Sequence, residues 1–312
     1  MPRVVSVSLG SPGGDFLHTL TVRGREIQIE RVGTNGNMAA AMELLQELDG
    51  KVDVLCLGGV NRFYYAGHKA FPMPMGQRLA AAVKHTPLVD GSWVKNYWEP
   101  QVIAQLAAAG EVQLKGKRVL LVSALDRPTM AKTFTQLGCP LVVGDAMFGL
   151  GLPVAFHSLA LFNFMAKLTL PVLRLLPLAY LYPLGEKQNT IVPRFQKYYH
   201  WAQVIAGDFH FIYRHLPANL HDKIIITGTV RPEDVQLLKQ RGVSLLITTA
   251  PMLAGRALAA NVWEGVLRII YGAALEQLEL GQPLAQTSGQ TSGQTQDMFR
   301  ELEFTPEILK LN

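Results

Sequence analysis

A chain of 312 residues that is 49% apolar and only 17% charged has ample material for a core, which excludes a disordered protein. The formal charge of +5 comes from scattered basic residues, with no Lys/Arg block interleaved with aromatics, so a nucleic-acid partner is not expected. Two domains suit the length better than one.

The N-terminal MPRVVSVSLGS alternates apolar and polar residues and soon meets Gly10, as a strand does and a signal peptide does not. Gly10 to Asp15 is a glycine-rich turn, able to cradle an anion or simply to make a tight connection. Leu17 to Val22 and Glu26 to Val32, either side of Gly24, alternate as a hairpin. Asn35 or Asn37 can cap a helix that carries Met38, Met42, Leu45 and Leu48 on one face, and Asp49-Gly50 stops it. Val52 to Leu57 is a buried strand ending in Gly58-Gly59. Cys56, on this strand, and Cys139 lack CxxC spacing and are expected to be buried thiols of a reducing, cytoplasmic compartment. The aromatic, Pro/Gly-rich stretch Phe63 to Met75 reads as a loop, Gln77 to Lys84 as a helix and Pro87 to Val89 as a short strand. Residues 1–95 thus form a small α/β domain, against which 255–285 is expected to pack.

A helix from about Pro100 to Ala109 leads into KGKRVLLVSALDRPTMAKTFTQLGCPLVVGD, residues 115–145. Strand Val119 to Val122, turn Ser123 to Pro128, helix Thr129 to Leu137, Gly138, strand Leu141 to Val143 and Asp145 follow the order of a dinucleotide-binding βαβ unit. In such a unit the turn faces a pyrophosphate and an acid about 20 residues on accepts hydrogen bonds from a ribose. The turn lacks the glycines that let backbone approach phosphate. In this reading Ser123, Ala124, Asp126, Arg127 and Thr129 face the pyrophosphate, with Arg127 as a bidentate clamp in place of the glycines. Asp145 would favour NAD over NADP by repelling a 2′-phosphate. The alternative is a βαβ unit that is scaffold alone.

Residues 146–197 interrupt the alternation. From Pro153 to Leu184 the only formal charges are Lys167 and Arg174, with prolines at 171, 177 and 183. These breaks argue against a transmembrane span, which needs about 20 uninterrupted apolar residues. A buried helical lid, an oligomer face and a peripheral membrane contact are the options, and a lid or dimer face is preferred. Alternation resumes with strand Val204 to Ala206, strand Ile224 to Ile226, a helix near Glu233 to Arg241 and strand Leu245 to Ile247. A helix from about Leu258 to Ile270 follows. TSGQ repeats mark 286–296 as a linker, and the tail Phe299 to Leu311 is expected to dock as one short helix. Residues 96–254 thus form a Rossmann-like parallel-sheet domain with helices on both faces.

Asp90-Gly91, Asn96 and the Lys115-Gly116-Lys117 lead-in resemble the shikimate/quinate dehydrogenase family over roughly Asp90 to Gly265. Two departures are large: where that family has its catalytic aspartate in Asn-Thr-Asp, Asn96 is followed by Tyr97 and Trp98, and SALDRPTM stands in for the glycine-rich loop. VVSVSLGS, ELDGKVD, LGGV, GEKQ, AGDFH and LLITTAP resemble a bacterial family that carries the label quinate 5-dehydrogenase. The resemblance implies a nicotinamide-dependent oxidoreductase, using NAD or NADP, that acts on a small hydroxyl or carbonyl compound in an interdomain cleft of a homo-oligomer.

Asp208 and His210 follow the end of a parallel strand, where a carboxylate can fix a histidine's tautomer for acid/base work. The bland alternative is an aspartate capping a turn. Lys95 and Asn96 would position substrate, unless Lys95 is a solvated surface group. Thr248 and Thr249 end another strand and can offer hydroxyls to the same crevice. Asp208, His210 and His215 lack a metal-ligand spacing, so no metal is expected. Two other functions remain open from the residues alone: a non-catalytic nucleotide- or metabolite-binding module, and an enzyme of another class that holds an apolar substrate against 153–184.

Overall fold

The computed structural model describes residues 1–176, 190–272, 275 and 305–312, and has the mixed α/β, two-sheet architecture expected. The first sheet is built on β1 (Arg3–Ser8), whose valines are buried. An antiparallel hairpin, β2 (Phe16–Val22) and β3 (Arg25–Gly33), turns at Arg23-Gly24, both with positive φ. β3 runs parallel to β1 from Arg3↔Gln28. Helix α1 (Met38–Leu48) follows; of the two candidate caps Asn37 is used, its Oδ1 accepting the Ala40 amide at 3.1 Å. β4 (Val54–Gly58) pairs parallel on the other side of β1.

Phe63 to Met75 is not a loop. It holds β5 (Phe63–Ala66) and β6 (Lys69–Pro72), paired antiparallel about Gly67, and Pro74 already opens α2 (Pro74–Ala80). Strands of four residues are too short for alternation to show, and such a hairpin is marginal alone. A distant helix supplies the missing support. Asn163 accepts the Gly67 amide at 3.0 Å, and Ala66 and Phe71 share an apolar cluster with Ala166 and Leu170. β7 (Leu88–Val89) completes the first sheet, in the order β2-β3-β1-β4-β7.

After a π-helical turn at Val94–Trp98 come α3 (Glu99–Ala109), β8 (Val119–Leu121), α4 (Pro128–Gln136), β9 (Leu141–Val143), α5 (Asp145–Phe148) and α6 (Leu159–Leu173). The second sheet adds β10 (Val204–Ala206), β11 (Ile224–Thr227) and β12 (Leu245–Thr248), all parallel to β8. A small ribbon, β13 (Met252–Leu253) and β14 (Arg256–Ala257), precedes helix Ala260–Tyr271. The described part of the tail is a strand rather than a helix: β15 (Glu307–Lys310) pairs antiparallel with β12, Leu245↔Lys310. Four residues, two apolar and two charged, fit either conformation, and the open edge of β12 decides between them. The order is β15-β12-β11-β10-β8-β9. The TSGQ repeat lies outside the described residues.

Helix Ala260–Tyr271 returns to the first sheet. A Cβ at Gly265 would stand 2.5 Å from Val4 Cγ1 and 2.7 Å from Cys56 Sγ, so only glycine permits this approach. Glu264 accepts the Trp93 amide at 2.9 Å, and Asn261 donates to Ser6 Oγ at 2.8 Å. Both cysteines are buried and unbridged. Among the described residues no helix is long and apolar enough to cross a membrane.

Candidate functional site

Parallel strands deliver their carboxyl ends to one edge of a sheet, where loops and helix starts converge. Here both sheets turn that edge toward a shared cleft of about 480 Å³, within the range of small-molecule sites. Ser6, Ser8 and then Ser11, Gly13 and Gly14 come from β1 and the turn after it, Asn61 and Tyr64 from beyond β4, Ser123 and Leu125 to Arg127 (but not Ala124) from β8, Asp145 from β9 and Asp208 from β10.

The turn after β8 is closed from within. Asp145 Oδ2 accepts the Ala124 amide and Oδ1 the Leu125 amide, each at 2.8 Å. Those are the amides a pyrophosphate would need, so the Asp145 carboxyl takes the place of a bound anion and does not serve as a ribose acceptor. Burial pushes its carboxyl up to about 7, against the two amides that favour the ionised form. Arg127 is no phosphate clamp either. It is 4% exposed, its Nε donates to Glu99 Oε2 at 2.7 Å, and its Nη1 donates to Asp126 Oδ2 at 2.6 Å. Lys95 Nζ bridges Asp126 Oδ1 at 2.9 Å and Asn61 Oδ1 at 2.7 Å. Two cations thus alternate with two carboxylates, of which Lys95, Asp126 and Arg127 line the cleft and Glu99 lies buried behind them. Burial would raise the Asp126 carboxyl, but Lys95 and Arg127 outweigh it and hold it below its ordinary value. For Glu99 burial wins over Arg127, and its carboxyl is raised.

The other expected site residues divide. Ser123 lines the cleft, its Oγ accepting the Asp208 amide at 3.1 Å. Asp208 and His210 line it too, though Asp208 is the cap of a six-residue helix, Phe209–Arg214, and accepts the His210 amide at 2.9 Å. Burial lowers the His210 pKa more than Asp208 raises it, so the imidazole is neutral at pH 7. Asn96, Thr129, Thr248 and Thr249 are not among the lining residues. Asn96 is buried and donates to the Ser92 carbonyl at 2.9 Å. Thr248 donates to the Ala250 carbonyl at 2.8 Å, and Thr249 lies 3.4 Å from Glu99 Oε1. These strand-end hydroxyls close the chain's own polar groups. Among the described residues no three His, Cys, Asp or Glu side chains cluster to hold a metal.

Other lining residues escape a motif search. Ser6 and Ser8 share one face of β1, a two-residue period that VSVS displays. Arg31 and Arg256 flank the Ser11–Gly14 turn. Arg31 is paired with Asp15 at 2.5 Å, while Arg256 donates to the Gly14 carbonyl at 2.7 Å and lies over the Phe16 ring, with no carboxylate partner among the described residues. The same cleft is lined by apolar residues as well: Val154 and Phe156, with Phe162, Met165, Leu170 and Leu173 of α6.

A family model described as Domain of unknown function (DUF8754) matches residues 93–311, and a second, Domain of unknown function (DUF8753), matches residues 3–90. The chain belongs to the DUF8754 family. No curated protein matches it. Solved structures similar to this DUF8754 protein include a sugar ABC transport substrate-binding protein from Bordetella parapertussis 12822, at 14% identity, 91% of this chain, 82% of that chain and TM-score 0.35. A periplasmic ribose ABC transporter protein from Conexibacter woesei DSM 14684 matches at 10% identity, 90% and 87% coverage and TM-score 0.35. Hetero-hexameric glutamate dehydrogenase from Thermus thermophilus matches at 13% identity, 89% and 71% coverage and TM-score 0.37. Likenesses this slight transfer no activity.

The dehydrogenase expectation is corrected at this point. The matching families are of unknown function, periplasmic sugar-binding proteins are among the similar structures, and neither supports membership of the shikimate/quinate dehydrogenases or the quinate 5-dehydrogenase label. The physical reason lies in the turn after β8, whose amides serve Asp145 and whose arginine serves Glu99 and Asp126.

Proposed function

We propose that this DUF8754 protein binds a small amphipathic molecule in the cleft between its sheets, with an anionic or strongly polar head and an apolar body. The observation that carries this reading is that one cavity is lined both by polar and charged residues of the strand ends and by the apolar side chains of α6. The head would lie by the Ser11–Gly14 turn within reach of Arg256, whose charge meets no carboxylate among the described residues. The body would lie against Phe162, Leu170 and Leu173. Two parts of the molecule would thus be recognised by two domains. A binding role fits the cleft better than a chemical step, because Lys95, Asp126, Arg127 and Glu99 are committed to one another.

Thermal denaturation with matched probes tests the proposal. Dodecanoate carries both parts, acetate only the head and dodecanol mainly the tail. At about 100 times its dissociation constant a ligand stabilises by about 2.7 kcal/mol, so dodecanoate should raise Tm clearly and the fragments much less. Equal shifts with dodecanol and dodecanoate would remove the head site. No shift with any of the three, beside a shift with a free sugar, would replace the amphiphile with a polyol.

A further inference from the structure

Helix α6 is apolar on two opposite faces. Phe162, Ala166 and Leu170 are buried, while Leu161, Phe164, Leu168, Val172 and, just past the helix, Leu175 are 52–68% exposed. At 100° per residue the exposed five form a single stripe opposite the buried one. The expectation of a lid buried in the fold therefore fails for half of its surface. A stripe this continuous marks an interaction surface, because scattered apolar residues do not line up along a helix.

The charge around the stripe identifies the occupant. No Asp or Glu occurs from Ala146 to Gly185, and none from Val54 to Val89. These segments meet: Asn163 of α6 accepts the Gly67 amide of the β5–β6 hairpin, and Arg174 donates to the Pro72 carbonyl at 3.0 Å. Lys69 and Lys167 are exposed on this unit. A second copy docking through the same stripe would bring like charges together around a two-fold axis, with no carboxylate in the described parts of these two segments to pair them. An anionic surface would meet the lysines favourably, and their long stems let the charges reach headgroups while the leucines enter the acyl boundary. We propose that the outer face of α6, with the β5–β6 hairpin beside it, docks on an anionic lipid bilayer. This proposal does not rest on the cleft's ligand. If both hold, the same helix offers one face to the bilayer and the other to the bound amphiphile.

Cosedimentation of the full chain with vesicles decides it. Equimolar phosphatidylcholine and phosphatidylglycerol should pellet the protein, and phosphatidylcholine alone should pellet much less. Leu168→Asp with Val172→Glu should weaken binding by at least about tenfold, since two charges enter an apolar boundary. Lys69→Glu with Lys167→Glu should weaken it by a similar factor and flatten the dependence on anionic lipid. All four side chains are exposed, so circular dichroism and Tm should match the wild type. Wild-type protein that stays in the supernatant with anionic vesicles overturns the proposal. So does binding that the Leu168→Asp, Val172→Glu variant leaves intact. A dimer in sedimentation equilibrium that this variant converts to monomer would assign the stripe to a second copy and also overturn it.

Discussion

Asp145 accepts the backbone amide of Ala124 at 2.8 Å, twenty-one positions earlier in the chain. A carboxyl at the end of β9 thereby occupies the place at the end of β8 where a bound anion would stand, and this side of the cleft is organised around that substitution.

Removing the internal carboxyl should open the site to an external anion. In Asp145→Ala the Ala124 and Leu125 amides lose their acceptor, at a cost of roughly 1–3 kcal/mol each. Pyrophosphate should then stabilise the variant and leave the wild type unchanged, which differential scanning fluorimetry reads directly. A wild-type shift with pyrophosphate would show that the turn admits phosphate despite Asp145.

The Asp145 carboxyl also sets a pH dependence. Its folded pKa is about 7 against 3.8 for the free group, so between those values the folded state holds a proton that the unfolded state has lost. Stability should fall as pH rises through that window, and show no contribution from this group below it. In Asp145→Asn that part of the slope should vanish. Urea titrations of both proteins from acid to neutral pH make the comparison. Parallel curves would mean that Asp145 ionises normally.

Arg127 holds Glu99 and Asp126, and all three are buried. Arg127→Met leaves two carboxylates without their shared cation and should cost about 3–5 kcal/mol. Arg127→Lys should recover little, because a single ammonium cannot serve Glu99 and Asp126 with the guanidinium's fork. A loss below about 1 kcal/mol would mean that the pair is solvated or that one carboxyl is protonated.

Gly265→Ala should destabilise through the contact between helix Ala260–Tyr271 and the first sheet. Its Cβ would meet Val4 and Cys56 at 2.5 and 2.7 Å. Relief requires the helix to move from β1 and β4, at a cost of about 1–3 kcal/mol. Gly110→Ala is the control: its Cβ meets nothing within 4 Å, so only its positive φ is strained.

Much of the fold is legible in the sequence because its strands are buried on both faces and read as apolar runs between turn residues. Val119 to Val122, Leu141 to Val143 and Val204 to Ala206 all lie in the second sheet or at its edge. Short elements whose partner is far away are not legible. β5–β6 needs α6, nearly a hundred residues on, and β15 needs the edge of β12. The site was legible only as a place. Ser123, Asp126, Asp145, Asp208, His210 and Lys95 do converge on the cleft. Their partners were hidden because pairing depends on the third dimension: Arg127 meets Glu99 from α3, and Asp145 reaches back to β8. Arg256 sits in AGRALAAN, where nothing distinguishes it from a surface arginine.

Isothermal titration of dodecanoate into the wild type and Arg256→Ala, at two temperatures, addresses the cleft most directly. One molecule per chain is expected, with the negative heat-capacity change that accompanies burial of the apolar body along α6. Arg256→Ala should weaken affinity by about tenfold or more, as loss of a charge-assisted contact does. Undiminished affinity in Arg256→Ala, or no binding by the wild type, would contradict the two-part cleft.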